Sequence, residues 1–394
     1  MSLVKSTRIE SIDILRGVVM VIMALDHTRD YFHYGSFFSN PTDLETTTPF
    51  LFFTRFITHY CAPVFVFLAG TSAFLYGSKK TKPELFKFLI TRGIWLIALE
   101  IIVNNLIWKF DITYSRTVLQ VIWAIGFSMI CLSLLIYLRT YLILIIGLVF
   151  VAGHNLLDDI LMQGTSIKSY VWYLLHQGGG IQIGEDHVIL VFYPALPWIG
   201  LMALGYCFGQ LYRKDFDVTI RKKMLLTIGL SCIVLFLIIR GINIYGDLVP
   251  WATQKNTTYT ILSFFNVTKY PPSLAYLLIT MGPSLLFLYA IETIKNKLTD
   301  FFLVFGRVPL FYYFLHVLAI HLLAFIGLLI FGGNWRDMIL TAEVFQNAKL
   351  LDYGYSLFVV YMVWIGVITL LYFPSKTYMV YKANNKDKWW LSYL

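Results

Sequence analysis

Residues 8–30 read RIESIDILRGVVMVIMALDHTRD, an apolar run with ionisable residues towards both ends. The core of this run, residues 11–27, has the length of a short transmembrane helix. It carries Asp13 and Arg16, and no small-residue cleavage site follows it, so it predicts a retained membrane helix and not a signal peptide. The fold therefore depends on how a membrane helix accommodates its own charges.

The composition of the whole chain points in the same direction. Of the 394 residues, 58% are hydrophobic and 13% are charged, whereas an average soluble domain carries about 25% charged residues. This balance excludes a soluble globular enzyme, a disordered chain and a disulfide-rich secreted fold. The four cysteines lie inside apolar runs and form no CxxC pair, so we expect them to be packing residues. What remains is a polytopic membrane protein.

The hydropathy pattern predicts an all-α integral membrane protein, a bundle of about ten transmembrane helices in a single domain over residues 1–394. When the N-terminus is placed in the cytoplasm, lysine and arginine are concentrated in the inner connections, as the positive-inside rule requires. Both termini are therefore predicted to be cytoplasmic, and the net charge of +9 reflects orientation and not nucleic-acid binding. The expected helix cores are 11–27, 51–76, 86–108, 118–137, 141–153, 188–209, 224–240, 271–292, 303–331 and 355–373.

Five arginines lie in or at the ends of these expected helices: Arg16, Arg55, Arg92, Arg240 and Arg307. Since each charge costs about 2.5–3.5 kcal/mol at the centre of a bilayer, such residues should face the bundle interior and have partners. Arg16, Arg92 and Arg307 are predicted near cytoplasmic helix ends, where a cluster of guanidinium groups suits a phosphorylated ligand. The structural alternative is ion pairing, for example of Arg16 with Asp13.

Imidazole and carboxyl groups gather at the opposite, external end of the first helix. Asp26 and His27 follow Arg16 by ten and eleven residues, which is about 15–17 Å along a helix. A histidine beside a carboxylate is what general-base chemistry needs, because the carboxylate orients the ring and stabilises the imidazolium. The predicted catalytic group therefore has His27 as the preferred base, His33 as the second candidate, and Asp26 or Asp30 orienting the ring.

Other polar and aromatic residues near the external helix ends are candidates for binding a substrate. Arg55 and His59 share a helix face at i, i+4, and two prolines after Tyr270 favour a helix start that aims this residue at the external mouth. No spacing typical of metal ligands occurs, so no metal is expected. The predicted substrate-binding residues are Arg29, Arg55, His59, Lys269, Tyr270, Tyr313 and His316.

Five blocks of sequence carry a family resemblance. Together they resemble the heparan-α-glucosaminide N-acetyltransferase-like family of multi-pass membrane proteins, and more narrowly its bacterial branch, over residues 8–330. Residues 331–394 would add a further helix and a basic cytoplasmic tail. The blocks are RIESIDILRGVVMVIMALDH (8–27), HYCAPVFVFLAGTSAFLYG (59–77), YPALPWIGLMALGYCFG (193–209), NVTKYPPSLAYLLITMGPSLL (266–286) and FGRVPLFYYFLHVLAIH (305–321).

The resemblance implies a transmembrane acyltransferase of the bacterial cytoplasmic membrane. In the family, acetyl-CoA is used from the cytoplasmic side and the acetyl group passes to an amino sugar on the far side. The family's catalytic histidine follows the first helix, after a site asparagine whose position is taken here by His27, and His33 is the histidine of the next stretch. The implied partners are acetyl-CoA, held by Arg16, Arg92 and Arg307, a glycan or amino-sugar acceptor, and membrane lipid, with a homodimer left open.

Two other functions are compatible with the sequence alone. A transporter or flippase for an anionic sugar, lipid or nucleotide-like substrate would use the same buried arginines, but it needs gating elements and no general base. A structural membrane protein would leave those arginines without a role. For an acyltransferase, the sequence leaves open whether the acceptor is an amine or a hydroxyl. It also leaves open whether the acyl group is transferred directly or first to His27.

Overall fold

A computed structural model describes residues 9–392 of the protein. Arg8, which opens the first family-like block, lies outside these residues, as do the rest of the N-terminus and the last two residues of the predicted basic tail. The described helices are α1 (Glu10–Phe32), α2 (Pro49–Thr58), α3 (Cys61–Gly77), α4 (Lys82–Ala98), α5 (Asn105–Lys109), α6 (Val121–Leu135), α7 (Thr140–Gly153), α8 (Ile167–Trp172), α9 (Ala195–Phe208), α10 (Val218–Ile242), α11 (Thr257–Phe265), α12 (Leu274–Ile291), α13 (Lys297–Arg307), α14 (Pro309–Phe331), α15 (Ala342–Gln346) and α16 (Leu357–Asn384).

Short segments of other secondary structure connect or extend these helices. Two π-helical turns continue α4 and α8, and single 3₁₀ turns occupy other connections. The π turns span Leu99–Asn104 and Tyr173–Gln177, and the 3₁₀ turns span His154–Leu157, Gly209–Tyr212, Trp335–Met338 and Trp389–Ser392.

Six of the helical segments are long and apolar enough to cross a membrane: Pro49–Gly77, Thr140–Leu157, Val218–Ile242, Leu274–Ile291, Pro309–Phe331 and Leu357–Asn384. In three of them, Thr140–Leu157, Val218–Ile242 and Leu357–Asn384, only 22% of the apolar stretch is buried, and the remaining apolar surface suits lipid better than water. The helix α1 is outside this set because Asp13, Arg16 and Asp26 interrupt its apolar run. The expected count of about ten and the cytoplasmic placement of both termini stay predictions.

A small β-sheet corrects the all-α prediction. Its central strand β3 (His187–Val191) pairs in parallel with β1 (Arg116–Leu119) and in antiparallel with β2 (Gly179–Ile183). The expected helix core 188–209 therefore begins as a strand, and its helix starts only at Ala195, after Pro194. The apolar run before that proline is too short for a helix, and its β-branched residues find partners for their backbone groups in two neighbouring strands.

The expected helix core 303–331 is also divided. The helix α13 ends at Arg307, Val308 has φ −132° and ψ 50°, and α14 begins at Pro309. Proline disfavours helical geometry in the residue before it but suits the first turn of a new helix, which places the break at Val308. The break separates the arginine at the end of α13 from the tyrosines and histidines of α14.

The helix α1 is buried along almost its whole length and crosses α13 at very short range. A Cβ atom on Gly306 would lie 1.8 Å from the carbonyl oxygen of Asp13, and one on Gly17 would lie 1.9 Å from the carbonyl oxygen of Phe302. Glycines at such a crossing let two helix backbones touch, as in other membrane-protein interfaces. This contact sets the distance between the charged start of α1 and the end of α13.

We expect Gly306→Ala to lower the free energy of unfolding by about 3 kcal/mol, because the added methyl group has no room between the two backbones. Thermal unfolding of the detergent-purified protein measures the change. The control is Gly366→Ala in α16, where a Cβ meets nothing within 4 Å and where alanine favours the helix. Equal melting temperatures for the two variants would contradict the close crossing.

Candidate functional site

One cavity of about 320 Å³, which we call the Arg16 cavity, is lined by all three arginines that were predicted near the same end of the bundle. Lys382 of α16 joins Arg16, Arg92 and Arg307, and the described lining contains no carboxylate. The walls beyond these cations are apolar and include Met20. The remaining lining residues are Met23, Phe65, Ala69, Ser72, Ala73, Phe88, Leu96, Val121, Ile122, Ile125, Met129, Pro309, Leu310 and Tyr313.

Ion pairs hold part of this cationic group in place. Arg16 Nη1 lies 2.8 Å from Asp13 Oδ1, so the predicted i, i+3 pairing is present. Arg307 is more loosely held, with its nearest carboxylate oxygens at 3.7 Å on Glu10 and 3.9 Å on Asp13. Pairing with acidic residues and lining of a cavity therefore coexist at this site. Lys382 had no signal in the sequence, because nothing there shows that the end of α16 reaches this cavity.

At the other end of α1, Asp26 is held by two arginines. Arg55 Nη1 donates to both carboxylate oxygens at 2.7 and 2.5 Å, and Arg29 Nη2 lies 2.9 Å from Oδ1. Arg29 also pairs with Asp30. Both carboxylates were expected to orient His27, but these contacts pair them with arginines. Asp26 and Asp30 therefore belong to an ion-pair network next to the histidine.

The partner of His27 is another histidine, His316 of α14. His316 Nδ1 lies 2.8 Å from the carbonyl oxygen of Tyr312, which can only accept, so this nitrogen carries a hydrogen. In the neutral ring, His316 Nε2 is then an acceptor, and it lies 2.8 Å from His27 Nδ1, which must donate. Neutral His27 is left with its lone pair on Nε2, the protonation pattern of a general base.

Burial and aromatic packing fix this histidine pair. His27 is 8% exposed and His316 is fully buried, and their rings are parallel within 5°. Trp108 of α5 packs edge-on against His27 with ring centroids 4.7 Å apart, and Tyr313 does so at 5.8 Å. Trp108 Nε1 in turn donates to the Tyr313 hydroxyl at 3.1 Å. The importance of Trp108 could not be found in the sequence, since its position depends on the π-helical turn before α5.

That π-helical turn is fixed by a buried carboxylate. Glu100, which is fully buried, accepts from Asn104 Nδ2 at 2.7 Å and from the backbone N–H of Trp123 at 3.0 Å. The second bond satisfies a free N–H group in the first turn of α6. Glu100 is thus a structural residue that connects α4 to α6.

A second cavity of about 250 Å³, which we call the Arg55 cavity, lies beside the Asp26 network. It is lined by four of the predicted substrate-binding residues, Arg55, His59, Lys269 and Tyr270. The sequence missed the other lining residues, which come from connections between helices and have no recognisable spacing. They are Asn40, Thr42, Val249, Asn266, Val267 and Thr268.

The Arg55 cavity is electropositive. Burial raises the pKa of Tyr270, but the neighbouring charges of Lys269 and Arg55 oppose it and hold this pKa below its ordinary value. Arg55 Nη2 lies 3.5 Å from the Tyr270 hydroxyl. The cavity therefore favours electron-rich groups such as hydroxyl, carboxylate or sulfate oxygens.

Arg240, the fifth arginine predicted inside the bundle, has a structural position. Its guanidinium donates to the carbonyl oxygens of Val249, Ser263, Phe264 and Asn266 at 2.8–3.1 Å. It therefore fixes the connections that form one wall of the Arg55 cavity.

His27 lines neither cavity, and the two cavities have no lining residue in common, but a neighbour of His27 lies at each of them. Tyr313 lines the Arg16 cavity and packs against His27, while Arg55 lines the Arg55 cavity and holds the neighbouring Asp26. His33 lies elsewhere: it follows the last residue of α1, and its Nδ1 contacts the carbonyl oxygen of Tyr34 at 2.9 Å.

We expect Asp26→Asn to lower the free energy of unfolding by about 3–5 kcal/mol, because it leaves the Arg55 guanidinium buried without its carboxylate partner. Unfolding of the detergent-purified protein measures the loss. The matched control is Asp215→Asn, which breaks an exposed pair with Arg213 and should cost at most about 1 kcal/mol. Similar losses in both variants would show that the Asp26 network is not a stabilising buried pair.

Comparison with known proteins supplies the family. A family model described as "Heparan-alpha-glucosaminide N-acetyltransferase, catalytic" matches residues 8–239, and the curated proteins contain no significant match. The matched segment carries Arg16, His27, Arg55 and Arg92, whereas α13 and α14 lie beyond it. The match covers more than half of the chain and confirms the resemblance seen in the sequence: this protein belongs to the heparan-α-glucosaminide N-acetyltransferase family.

Proposed function

We propose that the protein transfers an acetyl group from acetyl-CoA, bound in the Arg16 cavity, to an amino sugar or related glycan bound in the Arg55 cavity. His27 serves as the general base between them. The observation that carries this proposal is the pair of contacts around His27, whose ring has its lone pair on Nε2. Tyr313 of the Arg16 cavity packs against this ring, and the preceding residue, Asp26, pairs with Arg55 of the Arg55 cavity.

The Arg16 cavity has the chemical character that acetyl-CoA requires. Guanidinium groups bind phosphate through two parallel hydrogen bonds, and Lys382 adds a fourth positive charge to those of Arg16, Arg92 and Arg307. The apolar walls beyond them suit the pantetheine arm. Tyr313 lines the same cavity and also packs against His27, so a thioester that extends along the cavity approaches the base.

The two ends of α1 give the separation that such a transfer needs. Arg16 and His27 are eleven residues apart on one continuous helix, or about 16–17 Å. We assign the Arg16 cavity to the cytoplasmic side, because the basic connections of the chain are on that side in the orientation favoured by the positive-inside rule. The bacterial cytoplasmic membrane is the proposed location.

In the proposed reaction, His27 Nε2 accepts a proton from the acceptor amine or hydroxyl as that group attacks the thioester carbonyl carbon. His316 keeps the base in the required tautomer by accepting from Nδ1, a role filled by a carboxylate in serine hydrolases. The imidazolium formed on His27 then returns a proton to the CoA thiolate as the carbon–sulfur bond breaks. Asp26, the residue before His27, offsets the positive charges of Arg29 and Arg55 while His27 carries the proton.

The alternative function, transport of an anionic substrate, also uses arginine-lined cavities. Transport gives no role to the pair of His27 and His316, whose hydrogen bonds leave a lone pair on His27 Nε2. The histidine pair therefore favours chemistry over transport. Turnover without net uptake into vesicles would distinguish the two functions experimentally.

We expect His27→Gln to lower kcat for acetyl transfer by about 10²–10⁴-fold while acetyl-CoA still binds, because glutamine cannot accept the proton. Purified protein is assayed with acetyl-CoA and a panel of amino sugars, and binding is followed by calorimetry. The parallel variant is His33→Gln, which changes the second candidate base and should retain turnover. If His33→Gln is inactive and His27→Gln is active, the assignment of the base is reversed.

We expect Arg307→Gln to weaken acetyl-CoA binding about tenfold and to leave its affinity for the acceptor unchanged, because it removes one phosphate-binding guanidinium. The long distances from Arg307 to Glu10 and Asp13 mean that its loss disturbs the fold little. The matched control is Arg213→Gln, which removes an exposed arginine paired with Asp215. Unchanged acetyl-CoA affinity in Arg307→Gln would place the donor outside the Arg16 cavity.

A further inference from the structure

We infer that the hydroxyl group of Tyr313 is the donor that stabilises the oxyanion formed from the thioester carbonyl. This assignment rests on the proposed function and adds a catalytic residue to it. It comes from a single juxtaposition: Tyr313 is the residue that lines the Arg16 cavity and also contacts both rings of the histidine pair.

The position of Tyr313 follows from the start of α14. Pro309 begins the helix, and Tyr313 and His316 then lie three residues apart on one face. The Tyr313 ring packs edge-on against both imidazoles, at 5.8 Å from His27 and 5.6 Å from His316. A carbonyl carbon that is close enough for attack by a group bound to His27 is therefore also close to the phenol.

The hydrogen bond from Trp108 sets the polarity of this hydroxyl. An indole nitrogen can only donate, so Trp108 Nε1 donates to the Tyr313 oxygen across 3.1 Å. Because the indole only donates, this bond leaves the Tyr313 O–H as the donor of a second bond, and donation to the Tyr313 oxygen strengthens that second bond. Trp108 is itself fixed, because the Tyr31 hydroxyl donates to its carbonyl oxygen at 2.5 Å.

The second bond has its greatest value in the tetrahedral intermediate. When the acceptor nitrogen or oxygen forms its bond to the carbonyl carbon, the π electrons of the carbonyl group move to the carbonyl oxygen. The proton of the attacking nitrogen or oxygen moves to His27 Nε2. The Tyr313 O–H then donates to the negative oxygen without losing its proton. As the carbonyl re-forms, the carbon–sulfur bond breaks and the thiolate takes the proton from His27, so Tyr313 ends unchanged.

The test compares Tyr313→Phe with Tyr353→Phe. Both substitutions remove one hydroxyl group from a buried tyrosine. The Tyr353 hydroxyl has no hydrogen-bond partner among the described residues, and Tyr353 lines neither cavity. We expect Tyr313→Phe to lower kcat about 10²–10³-fold, while the protein stays folded and still binds acetyl-CoA. Tyr353→Phe should resemble the wild type.

Two unreactive donor analogues give a readout that a structural role would not change. In the first, a methylene group replaces the thioester sulfur and leaves a ketone, and in the second, S-ethyl-CoA, the carbonyl is absent. Tyr313→Phe should bind the ketone more weakly than the wild type and bind S-ethyl-CoA equally well. Trp108→Phe, which keeps the Tyr313 hydroxyl but removes its indole partner, should show a smaller loss of kcat.

The outcomes separate this inference from the proposed function. If wild-type protein turns over and His27→Gln does not, but Tyr313→Phe retains full kcat, then the oxyanion donor is another group and the proposed function stands. Equal weakening of both analogues would assign Tyr313 a packing role and overturn the inference. Absence of turnover in the wild type with every acceptor would overturn the proposed function and this inference together.

Discussion

The contact between the backbones of α1 and α13 is the constraint on which the rest of the site depends. Gly17 and Gly306 let the two helices touch, so that Arg307 arrives beside Asp13 and the first turns of α1. From the break at Val308, α14 then runs alongside α1. His316 lies nine residues after Arg307, and His27 lies eleven residues after Arg16. Each stretch spans about 14–17 Å, so His316 meets His27. A wider crossing would separate both the cations and the imidazoles.

The charged residues of α1 are tolerated in the bundle because oppositely charged groups neutralise them, and the two ends of the helix use different partners. At one end, Asp13 pairs with Arg16, and further cations face a cavity in which an anion can bind. At the other end, Asp26 is enclosed by Arg29 and Arg55, so the site contains ions but little unbalanced charge near the histidine. A neutral imidazole pair beside a closed ion-pair network has an available lone pair, whereas an imidazole bound directly to a carboxylate tends to hold its proton. The separation of the acid from the base is therefore part of the chemistry.

Much of the site could be predicted because its residues are expensive to bury. Arginine and histidine inside apolar helices must have partners or ligands, and this reasoning selected Arg16, Arg92 and Arg307, which share one cavity, and Arg55, which lines the other. It could not select Trp108 or Lys382, because tryptophan is common in membrane helices and lysine is common at their ends. It also assigned the orienting role to Asp26 or Asp30, since both are near His27 in sequence, while the partner in space is 289 residues away.

The sequence by itself determined the membrane class, the approximate order of the apolar segments and the distance between the cationic and imidazole-bearing ends of α1. These properties are local, since they follow from hydropathy and from the rise of a helix. Only the tertiary structure decided that His27 pairs with His316, that α13 and α14 are separate helices around a crossing at Gly306, and that short strands replace the start of an expected helix. Each of these depends on which distant backbone and side-chain groups meet, and partners so far apart along the chain are fixed by packing and not by spacing.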